Sequence, residues 1–274
     1  MLADHNLLKS GILEGDFLRT PEALVTIWTY DRLDSTLDEA RRLYKAGKLA
    51  CWDSILAAEQ SAGRGQNGRS WVSERGNLFS AVRLPVTAPF CLPCAPLALS
   101  LVYCETLIGL GFDCRLKWPN DLVVRSARGF GKCSGTLLER KGELLVAGTG
   151  INIASAPSAE QMRQSAVLAA VSLREANPQA AASLTPRILW ELIMERLTAL
   201  DLEAFVHSWH ERASQHLLWQ GERVRLDDGR ILHEGTLRGL GPQGELILGQ
   251  GGSTIRLVSG TLLPPVPEAA PKTP

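Results

Sequence analysis

Gly63-Arg64-Gly65-Gln66-Asn67-Gly68-Arg69-Ser70-Trp71 interleaves three glycines with two arginines, a pliant backbone carrying fixed positive charge. Glycine reaches positive φ and lets a ligand approach the main chain, while each guanidinium presents a planar fork of donors suited to carboxylate or phosphate oxygens. Read alone, the stretch is equally an ordinary surface loop or a nonspecific nucleic-acid contact. Three further stretches sharpen it: Lys117-Trp118-Pro119-Asn120-Asp121, Lys132-Cys133-Ser134-Gly135-Thr136-Leu137-Leu138-Glu139, and Gly148-Thr149-Gly150-Ile151-Asn152.

On either side of the glycine loop the pattern is strand-like, with Ile55 to Glu59 entering it and Leu78 to Leu84 leaving it. Upstream, Ile27 to Tyr30 reads as a strand that passes through Asp34-Ser35-Thr36 into a helix with apolar Leu37, Ala40 and Leu43. Pro96 to Leu110 is apolar on most sides, as a buried helix is, and Gly109 and Gly111 end it. Asp113 to Lys117, Leu122 to Arg125, Gly135 to Arg140 and Leu144 to Ala147 then form a meander, which implies an antiparallel or mixed sheet. Ala154 to Ala182 reads as a loop with one helix. Thr185 and Pro186 supply the N-cap and first position of a long amphipathic helix, and another covers about Leu202 to Ala213. After His216 the texture changes to short strands with glycine turns, at Glu222 to Leu226, His233 to Gly239, Glu245 to Leu248 and Thr254 to Leu257, the pattern of a small SH3-type β-barrel.

Bulk properties bound the chemistry. With 274 residues, 45% of them hydrophobic, the chain can bury one sizeable core plus a small satellite. The 29 basic and 29 acidic residues balance, so no global field attracts nucleic acid and an anion must be recognised locally. Neither a membrane-length apolar run nor a signal-peptide pattern is evident, so a cytoplasmic location is expected. Six cysteines in a chain of this length point to reduced thiols. The Cys91-Leu92-Pro93-Cys94 spacing, with no second pair at zinc-ribbon distance, reads as packing before a helix.

Together the Asp34-Ser35-Thr36 start, the Gly-Arg-Gly loop, Lys-Trp-Pro-Asn-Asp, Lys-x-x-Gly-x-Leu-x-Glu and Gly-x-Gly-Ile-Asn resemble the bacterial biotin protein ligases, from about Thr26 to Leu263 and in that family's order. The resemblance implies an α+β fold: a biotin/lipoate ligase-like catalytic domain with a central mixed β-sheet and helices, plus a C-terminal SH3-like β-barrel. It marks off a catalytic domain (26–215) and the SH3-like domain (216–263), with an N-terminal arm (1–25) before them; the tail (264–274), proline-rich and charge-poor, is expected to be disordered. It further implies that biotin and ATP, with magnesium, are converted to biotinyl-AMP, which a lysine on the biotin carrier domain of a carboxylase then attacks. Family members often pair through the sheet edge, so a homodimer is among the expectations.

By position, the resemblance places Lys132, Arg64 and Lys117 in catalysis, with Lys132 beside the reacting carboxylate. Biotin would meet Ser35, Thr36, Gln60, Arg64, Gly65, Gln66, Lys132 and Gly135; ATP would meet Arg69, Trp71, Asn120 and Asn152. Asp121 with Asn120 would hold magnesium through hard oxygens. The cations answer a physical need, because bringing a carboxylate to a triphosphate crowds like charges. Other readings stay open beside these: Thr36 and Glu39 fit a capping box, Lys132 could be a lysine at a strand start, and Asn120-Asp121 an ordinary turn.

Two departures from the family pattern matter: Gln66 stands where arginine is common, and Leu37 where asparagine is usual. Glutamine donates a neutral hydrogen bond without charge, so weaker retention of biotinyl-AMP is expected. Only about 25 residues precede the first expected strand, against roughly 60 for a winged helix-turn-helix, so DNA-binding repression is not expected. The rivals are a lipoate or octanoate ligase, whose arginine/glycine and His-Asp motifs are missing, and a noncatalytic biotin-binding regulator. Loss of Lys132, Arg64 or Asp121 would mark the second, and all three are present. A nucleic-acid role for the barrel is opposed by Glu222, Asp227, Asp228, Glu234 and Glu245, which offset its arginines.

Overall fold

A computed structural model describes residues 12–20, 24–162 and 167–265. Eight strands form one mixed sheet: β1 (Ile12–Arg19), β2 (Leu24–Tyr30), β3 (Ser54–Ala57), β4 (Leu78–Leu84), β5 (Cys114–Lys117), β6 (Asp121–Ser126), β7 (Gly129–Lys141) and β8 (Leu144–Ile151), in the order β1-β2-β3-β4-β8-β7-β6-β5. Strands β2 and β3 pair in parallel, and a parallel pair needs a crossover. Helix α1 (Thr36–Lys45) supplies it.

Strand alternation then assigns the two faces. Ile55, Ala57, Ala81 and Val146 join Leu37, Ala40 and Leu43 of α1 in one small cluster, whereas Leu56, Val82, Leu145 and Ala147 belong to the main core. On that second face lie α2 (Ala95–Gly109), α4 (Pro186–Thr198) and α5 (Leu202–Gln215), while α3 (Leu173–Ala176) is a single turn. Helix α2 is apolar on most sides because the sheet, α4 and α5 cover most of it. Each fully buried leucine there contributes about 1.5–3 kcal/mol. Thr185 caps α4 as its sequence suggests, its Oγ1 accepting from the Ile188 amide at 3.2 Å.

The C-terminal strands β9 (Arg223–Asp227), β10 (Leu232–Leu240), β11 (Leu246–Gln250), β12 (Ser253–Leu257) and β13 (Thr261–Leu263) form an antiparallel sheet in the order β12-β11-β10-β9-β13. This arrangement agrees with a small SH3-like barrel. Its inner residues Val224, Leu226, Leu237, Leu248 and Leu262 merge with the main core. Trp118, buried in the turn after β5, donates its indole N–H to the Gly244 carbonyl at 2.9 Å, so one side chain of the Lys-Trp-Pro-Asn-Asp stretch ties the two sheets together.

Several elements differ from the sequence reading. Part of the expected arm is a strand, since β1 pairs antiparallel with β2 from Arg19↔Leu24 to Ile12↔Tyr30; Ile-Leu-Glu-Gly-Asp-Phe lacks the clean alternation that would have marked it. Strand β7 starts at Gly129, so Lys132 stands inside a strand and not at its start. The Thr36/Glu39 capping box does not form. Ser35 is the N-cap residue, without a side-chain cap, and Glu39 instead accepts from the Tyr30 hydroxyl and from Arg42 Nε, both at 2.6 Å. Strand β13 was not anticipated, three residues being too short for a period to show. Beyond residue 265 the expected disordered tail lies outside the described residues. No helix among the described residues is long and apolar enough to cross a membrane.

Candidate active site

On the α1 face the four glycine-bearing and charged stretches surround one cavity of about 510 Å³. Its floor is made by glycines. Gly148 and Gly150 are two apart on β8 and so face the same way, and Gly135 of β7 pairs with Gly150 in register. Leu37 lies on Gly148, where an added Cβ would come within 2.8 Å of its Cγ, and the Trp71 ring lies on Gly150, where a Cβ would meet Cε2 at 2.4 Å. Bare backbone is therefore what allows both side chains to lie against the sheet.

The charged wall stands on hydrogen-bonded strands. Val123 pairs with Lys132 while Leu122 pairs with Ser134, so the β7 bulge falls at Cys133. Cys133 is fully buried beside the Cys114 thiol, whose other neighbour is Cys104, and burial raises Cys114 well above the usual thiol range. Lys132 faces the cavity, its Nζ 2.6 Å from Asp121 Oδ1 and 5.7 Å from the centre of the Trp71 ring. Its backbone is held on both sides, donating to Ala169 O at 2.8 Å and accepting from Val171 N at 2.9 Å. Lys117 and Asn120 are nearly buried on the same wall, and Asn120 Nδ2 donates to Thr136 O at 3.2 Å, which turns its Oδ1 the other way. Beneath, Thr149 Oγ1 lies 3.4 Å from the Tyr103 hydroxyl, a phenol that burial pushes up to about 12.

The opposite rim is the glycine loop between β3 and β4. It folds back on itself, Gly65 N donating to Arg69 O at 2.7 Å and Trp71 N to Gly63 O at 2.9 Å around a single 3-10 turn, Gln66–Gly68. Gly68 takes φ +71°, a value that favours glycine. Arg64 Nη2 reaches Asp38 Oδ1 at 3.1 Å, and Arg69 stands exposed at the lip. Gln60 is fixed as well: its Oε1 accepts from Thr36 N at 2.9 Å and its Nε2 donates to Ser73 Oγ at 3.1 Å.

Every residue singled out from sequence lines this cavity: Ser35, Thr36, Gln60, Arg64, Gly65, Gln66, Arg69, Trp71, Lys117, Asn120, Asp121, Lys132, Gly135 and Asn152. The reading missed Leu37 as a floor residue, Gly150 as the seat of Trp71, and Gly260 and Thr261, which the barrel contributes. The Gly-x-Gly alternation in β8 was a usable signal for the floor; nothing local marks a barrel residue as part of a distant cavity. One carboxylate with a neighbouring amide oxygen fits a magnesium ion that arrives with phosphates and completes its shell from them. It does not make a protein-built cage, and no cluster of three metal-ligating side chains occurs among the described residues.

Residues 33–154 match the Biotin/lipoate A/B protein ligase family. A biotin--[acetyl-CoA-carboxylase] ligase of Paracoccus denitrificans is 36% identical over 140 residues, 47% of this chain and 55% of the relative. The bifunctional ligase/repressor BirA of Salmonella typhimurium is 30% identical over 224 residues, 77% of this chain and 66% of the relative. The chain thus spans between about half and two thirds of these two relatives' lengths. Among solved structures, the biotin protein ligase from Aquifex aeolicus in complex with biotin and ATP superposes with a TM-score of 0.67 at 25% identity, covering 86% of this chain and 97% of that one. The family match runs across α1, the glycine loop and β4 to β8, the elements that build the cavity, and the chain belongs to the biotin/lipoate A/B protein ligase family.

Proposed function

We propose that this chain is an ATP-dependent biotin protein ligase, which joins the biotin carboxylate to the α-phosphorus of ATP, releases pyrophosphate, and passes biotin from biotinyl-AMP to a lysine of a carboxylase carrier domain. One observation carries the reading: Lys132 and Arg64, cations on a strand and on a facing loop, line one cavity whose glycine floor seats Leu37 and the Trp71 ring. A flat, apolar bicyclic ring suits the apolar surface that Leu37 and Trp71 lay over those glycines, and the two cations suit its carboxylate tail meeting a phosphate.

In the first step a carboxylate oxygen forms a bond to the α-phosphorus as the bond to the bridging oxygen of pyrophosphate breaks. Negative charge grows on the phosphoryl oxygens, and preorganised cations placed there are worth several kcal/mol because they need no reorganisation. Lys132 is the group we assign to that charge, its Nζ steadied by Asp121 at 2.6 Å. Lys117 adds a second cation on the same wall, and Arg64 holds the carboxylate. Ser35, Thr36 and Gln60 bind the ring polar groups, with Gly65, Gln66 and Gly135 around the acyl-phosphate. Trp71, Arg69 and Asn152 take the nucleotide. Magnesium, held by Asp121 and the Asn120 amide oxygen, would supply charge neutralisation to the phosphates. In the second step the neutral amine of the acceptor lysine attacks the acyl carbon and AMP leaves.

A cytoplasmic setting belongs to the same reading and is supported by six free thiols. So does a homodimer through β1, the edge strand of the sheet among the described residues, where Phe17 is 71% exposed. The test is pyrophosphate exchange into ATP with magnesium, run separately with biotin, lipoate and octanoate. Exchange with biotin alone is the expected outcome. Exchange with the fatty acids would move the chain to the lipoate side of its family, and none with any acid would leave a noncatalytic binder.

A further inference from the structure

We infer that Asp38 and Glu139 are positioning residues that aim Arg64 into the cavity, with Arg41 as the countercharge that lets them do so; the inference rests on the adenylation proposed above. Around Arg64 the backbone bonds from Gly65 to Arg69 and from Trp71 to Gly63 stay within the loop, whose entry is tied outside it by Ser61 N to Leu33 O at 2.9 Å and Ala62 N to Asp34 O at 2.8 Å. Its side chain is tied to the scaffold by two carboxylates, Nη2 standing 3.1 Å from Asp38 Oδ1 and 3.3 Å from Glu139 Oε1. Those carboxylates belong to rigid elements, Asp38 to the first turn of α1 and Glu139 to β7.

Arg41 grips the same pair from behind, its Nη1 2.7 Å from Asp38 Oδ1 and its Nη2 bonded to Glu139 Oε2. Two guanidiniums thus balance two carboxylates. Without Arg41, a net negative charge would face an anionic substrate across a half-buried site, where screening is weak. The clamp also leaves something over. Arg64 Nε is buried with no hydrogen-bond partner among the described residues, a donor held in place and unspent. A buried donor of that kind costs free energy until an acceptor arrives, and a carboxylate is the acceptor the cavity is proposed to receive. The spacing is specific to this arrangement: Asp38 and Arg41 lie three apart on α1, so both point at the end of β7.

The test compares two ligands and two backgrounds. Calorimetry would measure binding of biotin and of biotinol, the neutral alcohol lacking the carboxylate, to the wild-type chain, to Asp38→Asn with Glu139→Gln, and to Arg41→Ala. Each variant is expected to weaken biotin about ten-fold, the scale of one charge-assisted hydrogen bond, and to leave biotinol unchanged. Arg41→Lys should restore most of the loss. In pyrophosphate exchange the KM for biotin rises while kcat stays within about threefold, and in an Arg64→Ala background the paired substitution adds nothing further. Equal losses for biotin and biotinol, or losses that add to that of Arg64→Ala, would overturn the inference. Variants that bind biotin as tightly as wild type would overturn it too, with adenylation intact. A wild-type chain that binds no biotin would instead remove the underlying reading.

Discussion

The two sides of the cavity carry the same kind of charge and are built by opposite means. On the strand wall, Lys132 is held through its own backbone, bonded to Ala169 and Val171, and through Asp121. On the loop rim, the backbone from Gly63 to Trp71 bonds to itself, Ser61 and Ala62 tie only its entry to Leu33 and Asp34, and ion pairs fix the Arg64 side chain. The difference separates two tasks. A charge assigned under our proposal to the reacting phosphate is best placed on a ladder, where it needs no reorganisation. One carried by a glycine loop takes its aim from the ion pairs that anchor its side chain to α1 and β7.

Breaking the strand wall should have the largest effect. We predict that Lys132→Ala lowers pyrophosphate exchange by about 10²–10³-fold, the range for losing one preorganised group. A melting temperature close to wild type would accompany it, since Lys132 is part-exposed; a large loss of stability would instead make Lys132 structural. Next comes the floor between the two sides. A Gly150→Ala methyl would sit 2.4 Å from Trp71 Cε2 and 2.5 Å from Nε1, so the ring must lift. Overpacking of that kind costs about 1–3 kcal/mol, and tryptophan fluorescence should shift as the indole becomes exposed. An unshifted spectrum with normal ligand affinity would show that Trp71 has room to spare.

The loop rim should respond more gently. Gln66→Arg is predicted to reduce diffusible biotinyl-AMP by a few-fold, about 1 kcal/mol or less of added retention by a charge exposed to solvent. Equal release from both proteins would sink the idea that glutamine loosens this rim. The smallest effect concerns α1, which carries the loop's anchors. Asp34 accepts from the Ser35 amide and from Arg42, and chiefly the Arg42 guanidinium holds its carboxyl down at about 2. The folded value lies below the unfolded one, so its stabilisation is present above the ordinary carboxylate range and fades as pH falls towards about 2. Asp34 is about half exposed, which limits the contribution to about 0.5 kcal/mol. Acid unfolding of Asp34→Asn against wild type, run from neutral pH downwards, should show the two curves converging only at the acid end.

Much of this was legible before any coordinates. Strand β4 was bounded at both ends by its own pattern, and α4 announced itself through Thr185-Pro186. Strand β1 was not legible because its stability comes from pairing with β2, and the capping-box reading left open at α1's start fails because Tyr30 and Arg42 take up Glu39. In both cases a tertiary partner overrode a local rule.

The sequence by itself determined the ingredients: a glycine loop with two arginines, a Lys-x-x-Gly stretch, a Gly-x-Gly repeat, and a meander able to place them on one sheet. Those are local properties, since turn chemistry and hydrophobic period act over a few residues. Only the tertiary structure decided that Trp71 lies on Gly150, that Trp118 reaches Gly244, and that Asp38 and Glu139 meet at Arg64. Contacts between residues so far apart in the chain are chosen by packing and charge in three dimensions, which no window along the sequence contains.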